Sequence, residues 1–127
     1  MELILDTNAL SAFAEGDTKL RKLLEPASEL YLPSIVLGEY VFGIRQSKYR
    51  EMYESWLHAS LNLFRPLGVG RKTALAYADI RQALKTAGKP IPENDIWIAA
   101  IAQEHKMALV TRDAHFKNIQ TIDVLKW

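Results

Sequence analysis

Short apolar runs alternate with longer segments of helical period along this chain, and that alternation restricts its fold more than any other feature. ELIL at residues 2–5, ELYLP at 29–33 and ALVT at 108–111 read as short strands, and LFRPLG at 63–68 and IQTIDVLKW at 119–127 supply two more. Between them lie helical segments. ALSAFAEG follows Thr7 and Asn8, either of which can cap it, and a second helix over 17–25 stops at Pro26. Ser34 caps a third helix, SIVLGEYVFGI. From Lys48 to Leu61, Tyr49, Met52, Tyr53, Trp56, Leu57 and Leu61 recur at helical spacing. Residues 71–87 carry Ala74, Leu75, Ala78 and Leu84 on one face and end at Gly88. The proline-braced loop KPIPEN leads into DIWIAAIAQEHK, an apolar helix with a basic last turn. Strands and helices in this order imply a mostly parallel sheet covered by helices on both faces. No internal repeat or linker divides the 127 residues, which are expected to form one domain.

Composition narrows the chemistry. The absence of cysteine excludes disulfides and thiolate metal sites, and His58, His105 and His115 lack the spacing of zinc ligands. With no apolar run long enough to span a membrane and an acid at position 2 where a signal peptide carries a base, a cytoplasmic protein without membrane contact is expected. A formal net charge of +1 points neither to nor away from nucleic acid, although ten of the sixteen Lys and Arg follow residue 64. LGVGRKT lacks the glycines of a phosphate-binding loop, since Pro66 and Arg71 stand where they are needed.

Ligands of open parallel sheets bind at the carboxyl ends of the strands. Asp6 ends the first strand, Asp113 follows ALVT, and Asp95 opens the apolar helix, whose N-terminus belongs at the same edge. Glu39 is the fourth acid, expected among the core side chains Ile35, Val36, Phe42 and Gly43 of its own helix. Taken singly, each has a structural account: a turn or cap for Asp6, the helix dipole for Asp95, a turn for Asp113, a satisfied hydrogen bond for Glu39. Taken together they repel, by about 4 kcal/mol per pair at 4 Å and an effective dielectric near 20. Hard divalent cations, Mg²⁺ or Mn²⁺, resolve that repulsion and suit hydrolysis of phosphodiesters.

LDTNAL, SIVLGEYVFGI, PENDIWIAA and VTRDAHF, in that order and spacing, resemble the PIN-domain family across nearly the whole chain, most closely its VapC-type toxins. The resemblance implies a three-layer α/β/α sandwich over residues 1–127 and a Mg²⁺- or Mn²⁺-dependent endoribonuclease site. Asp6, Glu39, Asp95 and Asp113 are then the metal-binding, catalytic acids, and Thr7, Asn8, Asn94 and Thr111 their polar supports. It also implies a homodimer and an antitoxin partner whose tail enters the groove. The Tyr49, Met52, Tyr53, Trp56 stripe is either core or a seat for an antitoxin helix. Arg45, Lys48, Arg50, Arg71, Lys72, Arg81, Lys85 and Arg112 are candidates to border an RNA path, Arg112 foremost because it adjoins Asp113. Two other readings stand beside this one. A haloacid-dehalogenase-like phosphatase also begins with an aspartate after its first strand, but wants a second where Asn8 stands. A non-catalytic RNA- or protein-binding module could keep the same fold.

Overall fold

The computed structural model describes all residues 1–127. Its centre is a five-stranded parallel sheet in the order β3-β2-β1-β4-β5. The strands are β1 (Glu2–Leu5), β2 (Glu29–Pro33), β3 (Phe64–Leu67), β4 (Ala108–Val110) and β5 (Val124–Leu125). Helices α1 (Thr7–Ala14) and α2 (Thr18–Leu24) connect β1 to β2, and α3 (Ser34–Arg45) and α4 (Arg50–Ser60) connect β2 to β3. Helices α5 (Arg71–Thr86) and α6 (Glu93–His105) carry the chain from β3 back across to β4. The result is the expected three-layer α/β/α sandwich. No helix is long and apolar enough to cross a membrane.

This topology creates a switch point. From β1 the chain winds outward through β2 to β3, then returns to the other side of β1 and winds outward again through β4 to β5. Connections leave β1 and β4 in opposite directions, so a crevice opens above their carboxyl ends. Leu5 pairs with Val110, and the Asp6 N–H continues the ladder by donating to the Val110 carbonyl at 3.1 Å. Asp6 and Thr111 are thereby brought side by side at the rim.

Leu3, Ile4 and Leu5 are fully buried, as a central strand covered on both faces requires. Helix α6 is buried nearly all round, with Ile98, Ala99, Ala100, Ile101 and Ala102 buried in succession where it packs against α5, α3 and β4. On the α1 side, Phe13 meets Phe64 edge-on at 5.7 Å and Trp56 at 6.0 Å between ring centroids.

Several local expectations change. Pro33 is the residue that caps α3, and Ser34 is its first helical residue with no capping hydrogen bond. Asp6, rather than Thr7 or Asn8, caps α1. The last strand shrinks to Val124–Leu125, because Ile119 leaves the sheet to pack into the core after a short 3₁₀ helix, Ala114–Asn118. The buried face of α5 is Thr73, Ala76, Ile80 and Leu84, and Leu75 is 65% exposed. A polar residue takes the inward position because the Thr73 hydroxyl accepts the Gly70 N–H at 2.9 Å and donates to the Glu104 carboxylate of α6. Of the aromatic stripe, Trp56 and Tyr53 pack against the core while Tyr49 and Met52 are exposed.

These burials give a paired prediction. Ile101→Ala removes a fully buried side chain and costs about 2–5 kcal/mol in denaturant unfolding. Leu75→Ala changes stability by less than about 0.5 kcal/mol. Equal costs would mean that α5 presents a different face.

Candidate active site

Asp6 stands at the floor of the crevice and is 4% exposed. Its carboxylate accepts the Thr7 N–H at 2.7 Å on Oδ1 and the Thr111 hydroxyl at 2.7 Å on Oδ2. Thr111 is itself buried and gathers the loop around it: its Oγ1 accepts the Asp113 N–H at 3.0 Å and the Asn8 Nδ2–H at 3.3 Å. Asn8 Oδ1 in turn accepts the Arg112 N–H at 3.2 Å. Thr7 turns its hydroxyl to Glu39 Oε1 at 3.1 Å. Asp6, Thr7, Asn8, Thr111 and Glu39 thus form one connected polar net, built by the end of β1, the start of α1, the end of β4 and the middle of α3.

The other acids face it from across the crevice. Asp95, in the first turn of α6, and Asp113, after β4, converge on His115, whose Nδ1 lies 2.9 Å from Asp95 Oδ2 and 3.1 Å from Asp113 Oδ1. Ligand atoms of Asp95, Asp113 and His115 all lie within 4.8 Å of one another, whereas Asp6 and Glu39 stand outside that tight group. Charge joins the two sets. Burial pushes the Asp6 pKa up to about 6 against the hydrogen bonds from Thr111 and Thr7, and the nearby charges of Asp95 and Glu39 raise it further. Burial also raises Asp95, opposed by the His115 hydrogen bond, and Asp113 adds to the rise. His115 is raised chiefly by its hydrogen bond to Asp95 and by the charges of both acids.

Three expectations need correction. Glu39 is half-buried, not enclosed among core side chains, because the inward stripe of α3 is Val36, Tyr40 and Ile44, and Phe42 is 69% exposed. Glu39 sits on the margin of that stripe, next to the crevice. Arg112 turns away from the acids: its guanidinium lies 4.4 Å from the Trp127 ring centroid, Nε donates to the Trp127 carbonyl at 3.3 Å, and Asp17 is 3.8 Å away. Asn94 is exposed on α6, and none of the four acids accepts a hydrogen bond from it. Of the remaining basic residues, Arg50 pairs with Glu54 and Arg81 with Glu93, while Arg45, Lys48, Arg71, Lys72 and Lys85 are exposed.

His115 is the residue that sequence reasoning missed. It lacks ligand spacing to the other histidines, yet Asp113 caps the 3₁₀ helix by accepting the His115 N–H at 2.9 Å, which folds the imidazole back over its own cap. A histidine two residues after the acid in TRDAHF, just past a strand, is the available signal. The donor set is therefore four carboxylates, Asp6, Asp95, Asp113 and the half-buried Glu39, and one imidazole. It is dominated by oxygen and fits a hard divalent cation, with the nitrogen more compatible with Mn²⁺ than with Ca²⁺.

A crevice at the topological switch of a parallel sheet, walled by acids from β1, α3, α6 and the loop after β4, defines the class of protein. The PIN domain family model matches residues 3–122, and the chain belongs to that family. It is 29% identical to ribonuclease VapC2 of Rickettsia felis over 132 aligned residues, spanning 100% of this chain and 98% of that protein. It is 31% identical to toxin FitB of Neisseria gonorrhoeae over 121 residues, 87% of each. Among solved structures, VapBC2 from Rickettsia felis, bound to a DNA fragment from its promoter, superposes at a TM-score of 0.90 and 27% identity, over 100% of this chain and 99% of that one. FitAcB from Neisseria gonorrhoeae gives 0.86 at 30% identity, over 97% and 96%.

The raised pKa values set the pH dependence of the metal-free fold. Asp6 in the folded protein keeps its proton to about pH 6, against about 3.9 unfolded, so its contribution to stability falls as pH rises through that window. Two units correspond to about 3 kcal/mol. Asp95 acts in the same direction, and the bonus from charged His115, present below about pH 6.5, is lost as pH climbs through its raised folded value. Asp17, whose pKa is lowered, opposes them only at pH below the ordinary carboxylate range. In chelator, the melting temperature therefore falls steadily from pH 5 to pH 8, and Asp6→Asn flattens the slope and melts higher than wild type at pH 8. A melting temperature that climbs over this range would mean the acids are not packed together.

Proposed function

We propose that this chain is a Mg²⁺- or Mn²⁺-dependent endoribonuclease, the toxin half of a two-protein system whose antitoxin covers the crevice. The observation that carries this reading is the convergence of Asp6, Asp95, Asp113 and Glu39 on one crevice, where burial and mutual repulsion hold Asp6 and Asp95 protonated beyond the usual carboxylate range. Ionising buried acids so close together costs stability, and a divalent cation is a partner that offsets it. The similarity to ribonuclease VapC2 and toxin FitB, and to solved structures in which such proteins sit in VapBC and FitAcB complexes, supports both the RNA substrate and the antitoxin partner. A homodimer follows from the same resemblance.

Asp6, Asp95 and Asp113 would hold the ion, with Glu39 at the margin and His115 as an added donor once its proton is gone. Bound there, the ion supplies Lewis acidity toward a phosphate oxygen and lowers the pKa of a water. The protein's own residues do the rest. Thr111 and the Thr7 N–H fix both oxygens of Asp6, so its carboxylate needs no reorganisation when charge arrives. Thr7 fixes Glu39 in the same way. His115 Nδ1 lies between Asp95 and Asp113, where a proton on it would balance their charge until a cation replaces it. Exposed Arg45, Lys48, Arg71, Lys72 and Lys85 are available to meet RNA phosphates. Asn8 is committed to Thr111 and the Arg112 N–H, which leaves no group in the place of a phosphatase's second aspartate.

With purified protein and total RNA, cleavage requires Mg²⁺ or Mn²⁺ and stops in chelator. Asp6→Asn, Asp95→Asn and Glu39→Gln each lower the rate at least about a hundredfold with an unchanged far-ultraviolet spectrum. Full activity in any of the three would contradict the assignment, and RNA binding without metal-dependent cleavage would mark a non-catalytic module. Because bound metal must displace protons, its affinity rises from pH 5.5 to 7.5, and calorimetry in two buffers shows proton release.

A further inference from the structure

Beside the acids lies a second, polar cleft of about 320 Å³ between α1, α3 and α4, lined by Thr7, Ser11, Glu15, Tyr40, Ser47 and Tyr53 among others. It is contiguous with the acidic crevice, because Thr7 lines the cleft and hydrogen-bonds Glu39. Two of its features are out of place in a merely structural groove. Tyr40 is 96% buried by its 4% exposure, and its hydroxyl is the one buried side-chain polar atom without a hydrogen-bond partner. Natural folds leave few such groups, and those they leave call for an explanation. Glu15 is exposed at the C-cap of α1 and has no basic residue in ion-pair distance. A lone carboxylate next to the path of a polyanion repels phosphate and is tolerated best where it meets something other than phosphate.

We propose that this cleft is a base-reading subsite that takes a guanine flanking the cleaved phosphate, with Glu15 accepting from its N1–H and N2–H groups and the Tyr40 hydroxyl donating to O6. The proposal rests on the ribonuclease reading for its ligand. Guanine fits because its Watson–Crick edge alone presents two adjacent donors, which a carboxylate accepts as a pair, followed by a carbonyl acceptor. Adenine and uracil put an acceptor next to their single donor and would face Glu15 with a repelling lone pair. An arginine side chain, which only donates, would satisfy Glu15 but leave the Tyr40 O–H hydrogen unpaired. A phenol carries its hydrogen at neutral pH, so the Tyr40 hydroxyl is available as a donor. Its oxygen is buried without a partner, and the half-buried Tyr53 lines the same cleft. Splayed, unpaired bases are what proteins read in single-stranded RNA.

Trp56 packs against Tyr40 at 6.2 Å between ring centroids, so intrinsic fluorescence reports on the cleft. GMP, AMP, CMP and UMP titrated into the full chain in chelator test binding without cleavage. GMP binds at least about tenfold tighter than AMP or UMP, and Glu15→Gln and Tyr40→Phe each remove that preference. Tyr40→Phe also melts higher than wild type, since it deletes an unpartnered hydroxyl, so a loss of selectivity there is not a loss of fold. With Mn²⁺ and an RNA pool, wild-type cuts cluster beside guanine and both variants cut with relaxed preference. Equal binding of the four nucleotides, or unchanged cut sites in both variants, overturns the subsite while metal-dependent cleavage keeps the nuclease reading. Guanine-selective binding with no cleavage in any metal upholds guanine recognition by the cleft and overturns the nuclease reading. Should Glu15→Gln weaken only an arginine-bearing peptide, the cleft is a protein-docking site and the proposal fails.

Discussion

One hydrogen bond organises the site: the Thr111 hydroxyl to the Asp6 carboxylate, across the junction of β1 and β4. It exists because the parallel register sets Leu5 against Val110 and brings the next residue of each strand to the same rim. Thr111 then ties in Asn8 and the Asp113 backbone, so a single buried hydroxyl links the first strand, the first helix and the loop after the fourth strand. A hydroxyl suits this place because it donates to the acid while accepting from two N–H groups, which neither a carboxamide nor a second acid could do as compactly. Loss of it would free both the orientation of Asp6 and the path of the loop that carries Asp113 and His115.

Around this joint the protein holds acids that oppose one another. The strands and α6 around them are apolar and buried, and that burial, with the charge of neighbouring acids added, raises the pKa of both Asp6 and Asp95. On the proposed reading such a site is poised, protonated or histidine-compensated when free and stabilised further by a cation. The same scaffold serves the neighbouring cleft, where an unpartnered tyrosine hydroxyl is held by the packing of α3 against Trp56. Chemistry and recognition are thus proposed to sit side by side, joined through Thr7.

Much of the fold was legible because parallel strands buried on both faces leave unmistakable apolar runs, and Pro26, Pro33 and Gly88 punctuate them. The acids Asp6, Asp95 and Asp113 could be placed because strand ends and helix starts in this class share one edge. What failed did so where a side chain's environment is set by contacts distant in sequence. Leu75 looked like core until Thr73 found Glu104 on another helix. Glu39 looked buried because nearest-neighbour spacing cannot tell the centre of a helical stripe from its margin. His115 was invisible to a search for histidine spacing because its partners are acids, one of them twenty residues away on α6. Arg112 was drawn off by Trp127, a stacking contact that no local pattern encodes.

The central claim, that these acids share one cation, is tested most directly by titrating isotopically labelled protein with Mn²⁺ and following backbone amide signals, which a paramagnetic ion broadens according to distance. Broadening confined at low metal to Thr7, Asn8, the first turn of α6 and residues 111–115, saturating together and competed by Mg²⁺, is the expected result. Broadening scattered over exposed acids elsewhere, or separate saturation around Asp6 and around Asp95, would contradict a shared centre.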